Sequence, residues 1–216
     1  MIEKLLNFTS FFAKTLILCL FVFIFIFYGF ALFEPSRVMA VTDEVVVSQT
    51  VTSGITISSP DDITLTALSL TQNSAVGSTT WTVITNNQAG YTLSVKASSS
   101  PALVDSTTSE SFTDYTSSGK EAWSVSDAYE FGWSAFGDDV TGHGTDTNCV
   151  ATTDVPSSTL LWEGFNGTAD IQMGSSTSET IQAGTDTTLC VATEQDTVFA
   201  PSGTYAATLT ATAVVQ

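Results

Sequence analysis

The sequence predicts an all-β protein, a two-sheet antiparallel β-sandwich preceded by an apolar N-terminal export helix. Three observations predict it. The chain opens with a long uncharged apolar run, most of the remainder alternates apolar or aromatic residues with polar ones, and turn-forming glycine, proline and asparagine separate the alternating stretches. Alternation at a period of two is typical of strands with one buried face, and many short strands joined by turns are typical of a sandwich.

The apolar run covers residues 15–33 and allows two interpretations. As a helix it would be about 28 Å long, close to the thickness of a bilayer core, so residues 15–33 can serve as a retained membrane anchor. Val38 and Ala40 are small enough for the subsites of a signal peptidase, so residues 1–40 can equally be a signal peptide that is removed. Both interpretations place the remainder outside the cytoplasm, at the cell surface or in the medium.

Residues 41–216 have the length of one domain, and their charge is one-sided. The whole chain has a formal net charge of −17, and only Lys96 and Lys120 are basic after residue 40. Such a surface repels phosphate backbones and anionic lipid heads. Nucleic acid is therefore excluded as a partner, membrane contact is expected only through the N-terminal segment, and cations or neutral polymers remain compatible.

Two cysteines, Cys149 and Cys190, follow the export segment. In an oxidising compartment such a pair predicts a disulfide, which would close a loop of about 40 residues and stabilise the fold by up to about 4 kcal/mol. A zinc site would need more ligands, and His143 is the only histidine in the chain.

The first strands are predicted before residue 98. Residues 44–51, 54–58 and 63–70 each carry alternating β-branched or apolar residues. Residues 80–97 contain two more alternating stretches, joined by the turn-forming residues 86–90, and this pattern predicts a hairpin. Further strands are predicted at 121–136, 160–165, 169–173, 179–182, 187–193 and 204–215. The last has the longest clean alternation and is expected well inside a sheet, within an arrangement of the immunoglobulin-like, Greek-key type.

A loop-rich insertion at about residues 98–166 concentrates aromatic residues. They are Trp123, Tyr129, Phe131, Trp133, Phe136, Trp162 and Phe165. One interpretation is that they fill the core. The other is an exposed binding platform, with Trp133, Trp162 and Tyr129 as the residues that would stack on a ligand.

Acidic residues in the same insertion allow a calcium site. Asp138, Asp139, Asp146 and Asp154 lie in predicted loops, and calcium takes six to eight oxygen ligands from such carboxylates and nearby carbonyls. The spacing matches no EF-hand, and an ordinary solvated acidic loop is the alternative.

Catalysis is not expected. Residues 132–137 resemble a nucleophile elbow, but its glycines are one residue too far apart and no helix follows. His143 is the only possible histidine base. Glu121, Glu130 and Glu163 lie near tryptophans and would suit a glycosidase, but acids beside aromatics on strands are more often solvated.

Two short motifs resemble the WxL-type domains of bacterial surface proteins. Residues 90–95 are Gly-Tyr-Thr-Leu-Ser-Val, and residues 203–213 are Gly-Thr-Tyr-Ala-Ala-Thr-Leu-Thr-Ala-Thr-Ala. The resemblance implies a secreted β-sandwich, and the family is associated with non-covalent attachment to peptidoglycan. The chain departs from the pattern at Tyr91, where the family has tryptophan, and at Ala211 and Ala213, where it has the second Trp and Leu.

These observations favour a non-catalytic, exported protein of the cell surface or cell envelope with a structural or adhesive role. Its expected partner is a cell-wall polymer or another surface glycan, or another copy of itself that pairs through 45–51 and the last strand. The alternative is a carbohydrate-binding module that uses the aromatic residues, with calcium as its only candidate cofactor.

Overall fold

The computed structural model describes residues 2–31, 43–115, 119–126, 128–165 and 167–216. The chain forms two compact units, Met1–Thr50 and Val51–Gln216. The predicted cleavage site at Val38 and Ala40 lies outside the described residues.

The first unit contains the helix α1, Ile2–Ala31. Its segment Phe11–Gly29 has a mean hydropathy of 2.5 and is not buried, so it is long and apolar enough to cross a membrane. A signal sequence near the N-terminus has the same properties, so the helix is compatible with both interpretations of this segment.

Residues 43–50 have no regular structure. Val45, Val46 and Val47 are 84–89% exposed. The predicted strand at 44–51 is therefore wrong, because β-branched residues favour an extended backbone but a strand also needs a neighbouring edge.

Within its described residues the second unit has twelve strands. In chain order they are β1 Ile55–Ile57, β2 Ser74–Thr85, β3 Tyr91–Ala97, β4 Val104–Asp105, β5 Thr113–Asp114, β6 Tyr129–Gly137, β7 Val150–Thr152, β8 Val155–Pro156, β9 Ile171–Ser176, β10 Thr185–Gln195, β11 Tyr205–Ala206 and β12 Leu209–Val215. The larger sheet has the order β1-β2-β10-β6-β5, and the smaller has β12-β3-β9. Neighbouring strands are antiparallel except β5 and β6.

The two sheets enclose one core, which confirms the predicted all-β sandwich. Alternate residues of the larger sheet point into it: Trp81, Val83, Phe131, Trp133, Leu189 and Val191. From the smaller sheet come Tyr91, Leu93, Val95, Ala97 and Met173. These side chains are at most 8% exposed, so the alternation seen in the sequence marks the inward faces correctly.

The outer face of the larger sheet is also covered. Tyr115, Leu160 and Trp162, from the insertion, form a second cluster with Cys190 and Ala192 of β10. Cys149 joins it through the Cys149–Cys190 disulfide, which confirms that prediction. The sheet therefore has buried side chains on both faces, and β10 is buried without interruption from residue 189 to 193.

The predicted hairpin at 80–97 is wrong in its pairing. Its two strands and its turn are in the expected places, and Gly90 has the left-handed φ of 82° that the turn requires. However, β2 pairs with β1 and β10, whereas β3 pairs with β12 and β9, so residues 86–90 cross between the sheets. Two alternating strands can place their apolar faces side by side in one sheet or opposite each other across a core, and local alternation is the same in both.

The last strand also differs from the prediction. It is interrupted after β11, and β12 lies at the edge of the smaller sheet rather than inside one. Residues 63–70 and 179–182 form no strand, and 160–165 makes only isolated bridges. An edge strand buries the same alternate side chains as a central strand. The sequence pattern therefore does not reveal how many strands pair beside it.

We expect the disulfide to stabilise the second unit strongly. Replacing both cysteines (Cys149→Ala with Cys190→Ala) should lower the free energy of unfolding by about 4 kcal/mol, because the unfolded chain regains the entropy of a closed loop with a sequence separation of 41. Urea unfolding of the full chain in detergent, followed by tryptophan fluorescence, measures this. Cys19→Ser, in α1, is the matched control, and an unchanged midpoint in the double variant would contradict the prediction.

The core is expected to tolerate truncation poorly. Leu93→Ala should cost about 2–5 kcal/mol, because Leu93 is fully buried between the sheets and its loss leaves a cavity. Leu70→Ala removes the same atoms from a side chain that is 77% exposed and should change stability little. The same unfolding measurement compares them, and equal losses would show that the two-sheet core is misplaced.

Candidate functional site

The predicted aromatic platform is not on the surface. Trp133 and Trp162 are both 0% exposed, and the indole of Trp162 donates a hydrogen bond to the Ser157 carbonyl at 2.9 Å. Tyr129 is half-buried and packs edge-on against Phe112, with ring centroids 5.3 Å apart. The prediction that Trp133 and Trp162 stack on a ligand is therefore wrong. Their rings fill the layers on the two faces of the larger sheet, which a period-two pattern does not distinguish from an exposed face.

Three of the four predicted calcium ligands, Asp139, Asp146 and Asp154, have separate hydrogen-bond partners. Asp139 accepts a hydrogen bond from the Tyr91 hydroxyl at 2.6 Å, and Asp154 accepts one from Thr66 at 3.0 Å. Asp138 lies in the turn after β6. Within the described part of the chain no three His, Cys, Asp or Glu side chains come together as a metal site. The calcium hypothesis stays a prediction without a preformed ligand set there.

Asp146 instead organises its own loop. Its carboxylate accepts hydrogen bonds from the hydroxyls of Ser157 at 2.5 Å and Thr159 at 2.7 Å. These bonds hold the pKa of Asp146 below its usual value, because they favour the ionised form. The carboxylate thus ties the loop after β8 to the loop before β7.

The pKa of the Tyr91 hydroxyl is shifted in the opposite direction from that of Asp146. Burial, and then its hydrogen bond to Asp139, raises the pKa of Tyr91 above its usual value. Tyr91, which the predicted resemblance aligns with the first WxL-type tryptophan, fastens the start of β3 to the turn after β6.

One polar cluster brings together residues from both catalytic motifs considered in the sequence. Ser134 and His143 are buried, with 3.5 Å between Ser134 Oγ and His143 Nδ1. Lys120 Nζ lies 2.6 Å from His143 Nε2, and Glu163 Oε1 lies 3.4 Å from Lys120 Nζ. The contacts resemble a Ser-His-acid arrangement in composition only.

The hydrogen bonds of this cluster oppose nucleophilic catalysis. Lys120 can only donate, so Nε2 accepts, and Nδ1 is left to donate to the Leu161 carbonyl at 3.1 Å. The Ser134 hydroxyl donates to that same carbonyl at 2.8 Å rather than to the histidine. Burial, and then Lys120, lowers the pKa of His143 to about 4. The imidazole is therefore neutral near pH 7, and it has no acceptor nitrogen free for the serine.

Two of the three carboxylates considered for glycoside hydrolysis, those of Glu130 and Glu163, have partners inside the domain. Glu130 is fully buried and accepts a hydrogen bond from Ser126 at 3.2 Å. Glu163 pairs with Lys120, and burial raises its pKa. Glu121 pairs through its backbone with Trp162. These contacts hold the insertion in place, and they do not form a cleft for a sugar.

One opening in the described part of the second unit is a groove of about 1340 Å³. Its floor is the inner face of the larger sheet, including Trp81, Leu189 and Val191, and its walls are residues 58–70 and 199–211. Small-molecule sites usually have volumes of about 300–1,000 Å³, so this groove has room for a longer ligand such as an extended chain.

One wall of the groove is an extended segment that joins no sheet. Ile63 and Leu65 lie over Gly77 of β2, where an added Cβ would meet Ile63 Cγ2 at 2.3 Å. Among the described backbone hydrogen bonds none involves residues 59–68. Residues 59–68 are instead held by side-chain packing and by two hydrogen bonds. The Thr79 hydroxyl donates to the Asp61 carbonyl at 3.0 Å, and the Thr66 hydroxyl donates to Asp154 at 3.0 Å.

The opposite wall exposes an unpaired strand edge. β12 pairs only with β3 among the described strands. Thr208 O accepts a hydrogen bond from Ser98 N at 2.9 Å, and Gln216 N donates one to Gly90 O at 3.2 Å. The even-numbered residues of this stretch therefore direct their backbone N–H and C=O groups toward β3. Leu209, Ala211 and Ala213 consequently direct their N–H and C=O groups to the free edge.

Sequence reasoning missed this groove, although one signal was present. Ala207, Ala211 and Ala213 are the small inward residues of the last alternating stretch and are only partly buried. Small side chains on the buried face of a strand leave unfilled space beside it, whereas the wall at 63–70 was predicted to be a paired strand.

Comparison with known proteins finds no relative: no protein-family model, no curated protein and no solved structure matches this chain. The resemblance to WxL-type domains therefore stays a prediction. The fold brings the two motifs together, since Ala211 pairs with Val95 and Ala213 with Leu93 between β12 and β3.

The protonation of His143 can be followed directly, because it is the only histidine in the chain. Its NMR titration should have a midpoint at about pH 4, since burial and Lys120 both oppose the charged imidazole. Lys120→Met should raise that midpoint, whereas Lys96→Met, which removes a lysine paired with Asp170 on the surface, should not. A wild-type midpoint near the usual value of about 6.5 would contradict the buried cluster.

Proposed function

We propose that this is an exported, non-catalytic protein of the cell surface whose β-sandwich works by holding an extended polypeptide strand. The strand would lie in the groove and add to the free edge of β12. The observation that carries the proposal is the open groove beside Leu209 and Ala211, whose N–H and C=O groups face the edge of β12 that pairs with no described strand and form a template for one more strand. Strand addition at an exposed edge is a general mode of peptide recognition.

Three features support an exported location. α1 is long and apolar enough to cross a membrane near the N-terminus. The Cys149–Cys190 disulfide fits an oxidising compartment. The net charge of −17 suits a soluble domain outside the cell and disfavours nucleic acid. We therefore propose that α1 is a signal peptide or an anchor and that it alone contacts the membrane.

A protein strand fits the groove better than a glycan does. Glycan sites commonly use exposed aromatic faces, and the two tryptophans expected to supply them are buried. The groove instead offers backbone groups along one edge and an apolar floor, which match the backbone and alternate side chains of a strand. We propose a role in envelope assembly rather than sugar binding.

A non-catalytic role agrees with the polar cluster around His143. Its serine and histidine are buried, their hydrogen bonds are directed at the Leu161 carbonyl, and Lys120 occupies the remaining imidazole nitrogen. These contacts fasten the loops of the insertion to β6.

The proposal is tested by blocking the free edge without breaking β12. Ala211→Pro removes an N–H that faces the open edge and places the proline ring in the path of an added strand, while the bonds to β3 remain. Ala211→Val keeps the N–H and is the matched control. Both full-length variants are produced in a host that exports them, the envelope is extracted with mild detergent, and complexes are separated by size.

Ala211→Pro should lower the fraction of the protein in large complexes at least several-fold, and Ala211→Val should leave it unchanged. Formation of the Cys149–Cys190 disulfide and an unaltered circular dichroism spectrum check that both variants fold. Equal recovery of both variants in the same complexes would overturn the proposed function.

A further inference from the structure

We infer that the strand held in the groove is segment 43–53 of a second copy of this chain. This inference rests on the proposed function and names its partner. We call residues 43–53 the arm. The arm has no regular structure, and the valines at 45, 46, 47 and 51 are 77–89% exposed. Isolated exposed apolar residues are common. Four exposed β-branched residues in one short segment that belongs to no sheet are unusual.

The arm has the pattern that the groove requires. Val45, Val47 and Val51 share one parity, so in a strand they would point to the same side. They would face the floor of Trp81, Leu189 and Val191, while the opposite parity, which includes Ser48, Thr50 and Thr52, would face solvent. At about 3.3 Å per residue, eleven residues extend about 36 Å, which is more than enough to run beside β12.

Charge also favours the arm as the occupant. Residues 45–60 contain no charged side chain, although the chain has a net charge of −17. An acidic strand brought against this domain would be repelled, whereas an uncharged one is not. Asp43 and Glu44 place two charges at the outer end of the arm, and its remaining part, residues 45–53, is a neutral segment of a strongly acidic chain.

The ends of the domain set the geometry of pairing. Asn86 holds the inner end of the arm and the residue after it, because its side chain accepts a hydrogen bond from Gly54 N at 2.7 Å and donates one to Thr52 O at 2.8 Å. The neighbouring Asn87 bonds to Gln216 O at 3.0 Å, just beyond the end of β12. The groove instead borders the start of β12, at residues 209–211.

An arm that leaves one end of the domain and a groove that opens toward the other make a head-to-tail interface. Each copy then offers one arm and one groove, and the two surfaces differ. Such heterologous contacts form a ring if the rotation closes and an open filament if it does not. Cleavage after Ala40 would place the arm close to a new N-terminus.

The experiment cross-links the arm of one copy to the groove of another. In a Cys19→Ser background, one full-length chain carries Val47→Cys and a second, differently tagged chain carries Ala211→Cys. The two are isolated in detergent after export, mixed and mildly oxidised. The control partner carries Ala169→Cys, an exposed alanine that precedes β9 at the other edge of the smaller sheet.

A disulfide-linked pair of the two tags should form with Ala211→Cys at a yield at least ten-fold above that with Ala169→Cys. Val45→Asp in the arm should abolish the difference, because it places a charge on the apolar floor. Equal yields with both partners would overturn the inference. If Ala211→Pro still disperses the envelope complexes, the proposed function survives and the strand comes from another protein; if it does not, both fail.

Discussion

The structure depends on one strand being buried on both of its faces. Leu189 and Val191 of β10 point into the core between the sheets, and Cys190 and Ala192 point into the layer formed by the insertion. β2 and β6 pair with its two edges, so β10 has neighbours on all four sides. The disulfide between Cys149 and Cys190 makes the attachment of the insertion covalent. Everything on the outer face of the larger sheet is therefore positioned relative to β10.

The smaller sheet is constrained far less. It has three strands, one side faces the shared core, and β12 has a single partner among the described strands. The segment 58–70 packs through Ile63 and Leu65, and its described backbone hydrogen bonds lie at its two ends, from Ser58 N to Thr82 O and from Ser69 N to Gln72 O. The domain thus combines a larger sheet whose strands β6 and β10 are largely buried with a smaller sheet whose strand β12 has one edge without a described partner. Binding at that edge needs no rearrangement of the enclosed part.

Much of the fold could be predicted from the sequence, because apolar residues at alternate positions identify the buried face of each strand. The inward faces of β2, β3 and β10 follow from the alternation of Trp81 with Val83, Leu93 with Val95, and Leu189 with Val191. The partners of each strand could not be predicted, since β2 and β3 have the pattern of a hairpin whether they lie in one sheet or in two. The groove was missed for a related reason: it is made of a strand edge, and backbone N–H and C=O groups are the same in every sequence. The tryptophans led to the opposite error, a predicted site that the structure buries. In the sequence, aromatic residues of a second buried layer look the same as those of an exposed surface.

The burial of His143 affects how the charge of the domain responds to pH. Histidine is the side chain whose ordinary charge change falls between pH 5 and 8, and the only one in this chain has a pKa of about 4. This histidine therefore keeps the same charge across that range. It contributes no change to the electrostatic field of the domain when the pH of the medium shifts by a unit around neutrality. Dissolved salt still screens that field, over about 8–10 Å at ordinary ionic strength.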